Sequence, residues 1–141
     1  MTDYQLYWNR EKETLSEKEY RIVQEKAFIN QLAYVWKSSA FYKQKFSESE
    51  LASRDINGLE DLHKLPFTEK AELRDSQTTY PPLGNHAIVP LEKISRIYST
   101  SGTTGRPTYI GLTRPEIEIW RESASRAVWT GGFRPQSSVA W

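Results

Sequence analysis

The chain contains no cysteine, which excludes disulfides, thiolate metal sites and a cysteine nucleophile together. It also lacks a dominant charge. Nineteen basic residues stand against 18 acidic ones for a net charge of +1, and no segment gathers the basic residues into a stripe. A polyanion-binding surface is therefore not expected, and nucleic acid is not an expected partner. No apolar run approaches membrane-spanning length, and the charged N-terminal stretch lacks the apolar centre of a secretion signal. These absences predict a soluble, cytoplasmic protein without a membrane partner. The two histidines, His63 and His86, lie far apart with no matching carboxylate pattern, so neither is expected to serve a metal or an acid-base step.

What is present reads as globular. A length of 141 residues is ordinary for one domain, and 13% aromatic residues exceeds what a disordered tail carries. Ser16 and Glu19 have capping-box spacing, and Ile22, Val23, Ile29, Leu32, Ala33 and Trp36 recur at helical intervals, predicting an amphipathic helix from Ser16 to about Lys37. After the Ser38-Ser39 break, Ala40 to Phe46 reads as a short second helix whose aromatics pack on the first. From 47 to 93 short helical patterns alternate with breakers: one or two turns over Leu59 to Leu65, and a further helix capped by Thr68 ahead of Glu69.

The pattern then changes. Ile94 to Tyr98 and Thr108 to Leu112 are rich in β-branched and aromatic residues, predicting two strands joined by a loop. Thr113 and Glu116 repeat the capping-box spacing with Pro115 in the first turn. Ile117, Trp120, Ala124, Ala127 and Val128 then form the expected buried face of a helix ending near Gly131-Gly132, and Val139 to Trp141 opens like a further strand. Trp36 and Trp120 are expected in the core rather than on a base-stacking platform with Trp8 and Trp129. The acidic pairs Glu60-Asp61 and Glu48-Glu50 read as helix starts or solvated faces rather than a carboxylate dyad.

The loop carries the chemistry. It reads Ser99-Thr100-Ser101-Gly102-Thr103-Thr104-Gly105-Arg106-Pro107-Thr108. Gly102 and Gly105 let successive N–H groups turn toward an anion, the hydroxyls from Thr100 to Thr104 can donate to phosphate oxygens, and Arg106 can offset their charge. A polyphosphate is the natural guest. A Walker A loop is excluded, because it would need a glycine at position 107, followed by Lys and then Ser or Thr, and position 107 is Pro.

This ordered string resembles the phosphate-binding signature of the adenylate-forming superfamily. Ser39-Ala40-Phe41-Tyr42 with Phe46, Leu65-Pro66-Phe67-Thr68-Glu69-Lys70 with Leu73-Arg74-Asp75, and Arg106-Pro107-Thr108 with Gly111 and Thr113 resemble its phenylacetate-coenzyme A ligase branch. Thr108 stands where most of the superfamily has lysine and where this branch commonly has threonine. The likeness runs from about Ser38 to Trp141.

The resemblance implies an α/β fold: N-terminal helices, then the start of the large N-terminal domain of an adenylate-forming enzyme, truncated. Residues 1–93 would form the helical region, and 94–141 an incomplete start of the AMP-binding domain with its phosphate-binding loop at 99–108. It implies that a carboxylate is joined to the α-phosphate of ATP with release of pyrophosphate, magnesium accompanying the nucleotide, and that the acyl group then passes to coenzyme A. Carried over by position, Thr100, Ser101, Gly102, Thr103 and Thr104 would contact the β and γ phosphates, Gly105 would permit the turn, and Arg106 would assist electrostatically. The family's adenine-contacting segment, ribose-binding aspartate and C-terminal lysine would lie beyond Trp141, so no catalytic residue is expected within the chain and the chain alone is expected to be inactive. The expected partners are thus a small carboxylate, ATP and coenzyme A. Two other readings are a related adenylate-forming enzyme acting on a different carboxylate, and a non-catalytic helical interaction module in which the loop is a connector.

Overall fold

A computed structural model describes residues 5–100 and 107–138. Helix α1 (Arg10–Glu13) is a single turn capped by Asn9, and α2 (Glu17–Ser38) is the longest element. The capping box at the start of α2 forms as predicted: Glu19 N–H donates to Ser16 Oγ at 3.3 Å, and the Glu19 carboxylate accepts from Ser16 N–H at 2.8 Å. Helix α3 (Ala40–Glu48) follows at once, because Ser39 ends one helix and caps the next. Its Oγ accepts from Tyr42 N–H at 3.2 Å while its own N–H donates to Val35 O at 2.9 Å, so a fully buried serine has its polar groups paired. The aromatics of α3 pack back on α2, with Phe46 stacked on Trp36 at 4.4 Å.

Short 3-10 turns at Ser53–Asp55 and Leu59–Lys64 carry the chain across α2. Glu25 of α2 accepts from Leu59 N–H at 3.1 Å, which ties the second turn down. Helix α4 (Lys70–Thr79) begins one residue later than the sequence predicts. Glu69 holds the cap position instead of Thr68, because the Glu72 carboxylate reaches back to Glu69 N–H at 2.6 Å. A 3-10 turn at Leu91–Lys93 leads into strands β1 (Arg96–Ser99) and β2 (Tyr109–Leu112), paired antiparallel with Arg96 opposite Leu112 and Ser99 opposite Tyr109.

Helix α5 (Arg114–Thr130) starts at Thr113 with Pro115 in its first turn, the Glu116 carboxylate accepting from Thr113 N–H at 2.7 Å. It ends as the Gly131-Gly132 signal predicts. Gly132 takes φ +87°, which glycine adopts without strain, and Phe133 N–H donates back to Val128 O at 3.1 Å, closing a Schellman turn. The N-terminal segment lies along α5: Trp8 packs on Trp129 at 5.5 Å and donates from Nε1 to Glu122 at 3.0 Å, while Trp129 Nε1 donates to Gln5 O at 3.1 Å.

Burial departs from the pattern. Among the described residues the buried apolar side chains are Phe46, Ile56, Leu83 and Leu112. Ile22 and Val23 of α2 are exposed, and on the expected face of α5 Trp120 and Val128 are about half exposed, Ala124 and Ala127 are exposed and Ile117 is intermediate. Trp120 is thus not a core residue; it lies beside Tyr98 at 5.4 Å. The periodicity marks faces suited to burial, but among the described residues these parts of them are covered only in part. Glu48 is the last residue of α3 and Glu50 follows with φ +53°, so that pair closes a helix rather than opening one, whereas Glu60 and Asp61 do sit in a first turn. The strand expected from Val139 lies outside the described residues.

Candidate functional site

The loop of interest is held at its base by two threonines. Thr100 N–H donates to Thr108 O at 3.0 Å, and Thr108 N–H donates to Thr100 Oγ1 at 3.1 Å. Thr100 therefore uses a hydroxyl lone pair to close the loop and keeps its O–H hydrogen for another acceptor. Ser101, Gly102, Thr103, Thr104, Gly105 and Arg106 lie outside the described residues. Thr108 is 3% exposed and, among the described residues, its Oγ1 has no hydrogen-bond partner at the point where the chain leaves the loop.

Beyond Thr108 the hairpin is anchored from α4. Gln77, itself buried, donates from Nε2 to Tyr109 O at 2.7 Å and accepts at Oε1 from Tyr109 N–H at 3.2 Å. The primary amide thereby takes the place of a neighbouring strand at that residue. The same Nε2 also donates to the carbonyl of Leu83, a buried residue, at 3.5 Å. Sequence reasoning missed Gln77, since a glutamine in a polar helix reads as a surface residue.

A second polar cluster braces the turn after α4. Gly84 takes φ +81°, and the adjoining Asn85 N–H donates to Ser76 Oγ at 3.0 Å. Ser76 Oγ–H donates to Asn85 Oδ1 at 2.7 Å, so the contact from His86 Nδ1 to the same oxygen at 3.1 Å is one in which the ring donates. His86 stacks edge-on against Phe41 at 5.9 Å, and burial holds its pKa below the ordinary histidine value. His86 is a bracing residue here, and among the described residues no group of three or more histidine or acidic side chains could hold a metal.

The hairpin, its threonine-closed loop and the helices beneath it define the kind of protein this is when set beside known folds. The structure superposes on 2-hydroxyisobutyryl-CoA ligase in complex with 2-HIB-AMP and CoA with a TM-score of 0.83 and 32% identity, covering 92% of this chain and 28% of that one. The same ligase in its postadenylation state with 2-HIB-AMP gives a TM-score of 0.84 at 29% identity, over 96% of this chain and 28% of the ligase. The fold is thus that of part of a coenzyme A ligase.

Curated relatives narrow the class. The chain is 35% identical over 130 residues to the phenylacetate-coenzyme A ligase of Thermus thermophilus, covering 92% of this chain and 28% of the ligase. It is 36% identical over 108 residues to that of Pseudomonas putida (77% of this chain, 24% of the ligase) and 32% identical over 127 residues to that of Escherichia coli (90% and 28%). The chain is a homologue of the phenylacetate-coenzyme A ligases, and it spans about 28% of the length of the first of these. No family model matches it. Among the described residues no helix is long and apolar enough to cross a membrane.

Proposed function

We propose that this chain supplies the phosphate-clamping part of an ATP-dependent aryl or arylacetate coenzyme A ligase. The observation that carries the reading is the hairpin: a Ser/Thr/Gly loop closed at its base by Thr100 and Thr108 and backed by a buried amide, in a chain homologous to phenylacetate-coenzyme A ligases. A carboxylate is a poor electrophile, and exchanging its oxygen for AMP provides a leaving group that the thiol of coenzyme A can displace. Phosphoryl chemistry of this kind depends on fixing the phosphates and offsetting their charge.

In this reading Thr100, Ser101, Thr103 and Thr104 donate hydroxyl hydrogens to the β and γ phosphates. Backbone N–H groups around Gly102 and Gly105 turn to the same oxygens, and Arg106 offsets charge as pyrophosphate leaves. Thr100 fits the role because its hydroxyl hydrogen is left over once the loop is closed. Magnesium would arrive with the nucleotide and further neutralise the phosphates. Residues 94–141 are read as the start of the nucleotide-binding domain and 1–93 as its helical flank.

A second reading within the same class has an observation in its favour. The matched solved ligase is named for 2-hydroxyisobutyrate, so the acid activated here could be a short hydroxy acid rather than phenylacetate. The phosphate-clamping role, which both readings share, is tested by grafting this chain in place of the matched stretch of the Thermus thermophilus ligase and measuring ATP–pyrophosphate exchange with phenylacetate. The chimera is expected to show acid-dependent exchange, and Thr104→Val should lower it on the order of tenfold to a hundredfold, the loss of one charge-assisted hydrogen bond. Thioester formation from supplied acyl-adenylate should change far less. A Thr104→Val chimera with undiminished exchange would reduce the loop to a connector.

A further inference from the structure

Of the asparagines Asn9, Asn30, Asn57 and Asn85, Asn57 alone precedes a glycine. The other three are engaged. Asn9 Oδ1 accepts from Lys12 N–H at 3.1 Å and its Nδ2 donates to Glu122 at 3.3 Å, Asn85 Oδ1 accepts from Ser76 at 2.7 Å, and Asn30 lies inside α2, where the following N–H belongs to the helix. Asn57 is exposed, and its carboxamide makes one long contact, from Nδ2 to Arg54 O at 3.4 Å. Its backbone is fixed where Asn57 N–H donates to Asp61 Oδ2 at 2.8 Å. The next N–H, of Gly58, has no acceptor among the described residues, whereas Leu59 N–H donates to Glu25 Oε1 at 3.1 Å. Gly58 is buried against α2, and a Cβ there would overlap the Glu25 carboxylate. The tie to α2 therefore demands, next to a loosely held carboxamide, the one residue whose nitrogen no side chain shields.

We propose that Asn57-Gly58 is a site of self-modification, in which the Gly58 nitrogen closes on the Asn57 carboxamide to form a succinimide. Gly58 N gives its proton to solvent base and bonds to Asn57 Cγ. The Cγ–Nδ2 bond then breaks, and Nδ2 leaves as ammonia with a proton taken from water. A water molecule next opens the imide at either carbonyl. Opening at Cγ leaves aspartate; opening at the main-chain carbonyl leaves isoaspartate, whose backbone runs through the side-chain carbon and is longer by that carbon. Both products set a new carboxylate beside Asp61. Isoaspartate also shifts Gly58 and Leu59 along α2, so Leu59 N–H loses its place on Glu25 and the turn at Leu59–Lys64 is released from the helix. The reaction needs neither nucleotide nor acid substrate, so it does not depend on the ligase reading.

The test incubates the 141-residue chain, folded and in urea, at mildly alkaline pH and follows each asparagine by peptide mapping with mass detection. In the folded chain the peptide holding Asn57 should gain the mass of an amide-to-acid change at least about tenfold faster than those holding Asn9, Asn30 or Asn85, which must first give up side-chain or helix hydrogen bonds. It should resolve into aspartate and isoaspartate forms. In the isoaspartate fraction the Leu59 amide should exchange about tenfold faster, the loss of one hydrogen bond, while the Tyr42 amide keeps its protection. Asn57→Gln lengthens the arm, so ring closure is disfavoured and the peptide should stay unconverted with Leu59 protected. Freshly prepared Asn57→Asp supplies the charge without the longer backbone and should also leave Leu59 protected. Conversion at Asn57 no faster than at the other asparagines, or conversion in urea but not in the folded chain, would overturn the inference. So would aspartate formed without isoaspartate, which marks direct hydrolysis, or an isoaspartate fraction whose Leu59 amide exchanges as before.

Discussion

Gln77 and Tyr109 are joined by two hydrogen bonds, side-chain amide to backbone amide: Nε2 to the carbonyl at 2.7 Å and Oε1 from the N–H at 3.2 Å. One residue on α4 thus seals the outer edge of β2 next to the loop that begins at Thr100. Because Gln77 is buried, water cannot replace it if it is lost.

Gln77→Leu is therefore expected to destabilise the chain by about 1–3 kcal/mol, the cost of orphaning a buried backbone group. Urea unfolding measures the loss. Amide exchange should show Tyr109 losing its protection, and unchanged Tyr109 exchange would mean that the pairing does not hold in solution.

At the base of the loop, Thr100→Val removes the acceptor for Thr108 N–H, and Thr100→Ser keeps it. The valine variant should expose the Thr108 amide to exchange and the serine variant should not. In the chimeric ligase the valine variant should also lose pyrophosphate exchange, since the same hydroxyl hydrogen is read as a phosphate donor.

Ser39→Ala should cost about 1 kcal/mol, the usual worth of a helix N-cap, because Tyr42 N–H then faces a buried site without a partner. Thermal or urea unfolding reads this directly. A neutral result would show that α3 does not depend on its cap.

Gly84→Ala combines two penalties. The backbone there holds φ +81°, and a Cβ would come within 2.5 Å of Ser76 Oγ and 2.6 Å of the His86 ring. The expected loss exceeds about 1 kcal/mol. The Ser76–Asn85–His86 cluster should loosen with it, visible as faster exchange of the Asn85 amide.

His86 and Glu122 are two of the groups that shape the acid side of the stability profile, alongside the capping and ion-paired carboxylates Glu19, Asp61 and Glu72. His86 is held by burial below its ordinary value of 6.5, so the unfolded chain binds the proton more readily. Its contribution is complete above pH 6.5 and is lost as pH falls toward the folded value. Glu122 lies below 4.5, first through the hydrogen bond from Trp8 and then, after an opposing effect of burial, through Lys12 and Arg126. Its contribution is complete above pH 4.5 and is lost as pH falls through its folded value. Tryptophan fluorescence should therefore change in this lower range as the bond from Trp8 to Glu122 weakens. Replacing His86 with asparagine should flatten the shallower slope just below pH 6.5 and leave the tryptophan transition in place.

Much of the fold was legible because its signals are local. The Ser16–Glu19 pair starts α2, Ser39 divides α2 from α3, Pro115 and Gly132 bracket α5, and the β-branched runs around the Ser/Thr/Gly loop give the hairpin. Each depends on neighbours within a few residues, where capping and backbone preference dominate. The candidate site is read from the same kind of local signal, since the order of hydroxyls and glycines in the loop is what the reading rests on. Tertiary structure alone decided what sits against what. Gln77 meets Tyr109 across 32 residues, Trp8 meets Glu122 across 114, and no local pattern encodes either pairing. It also decided burial. Helical spacing marks Trp120 and Ile22 as apolar-face residues, but a face is buried only when another surface covers it, and among the described residues both stay half or more exposed.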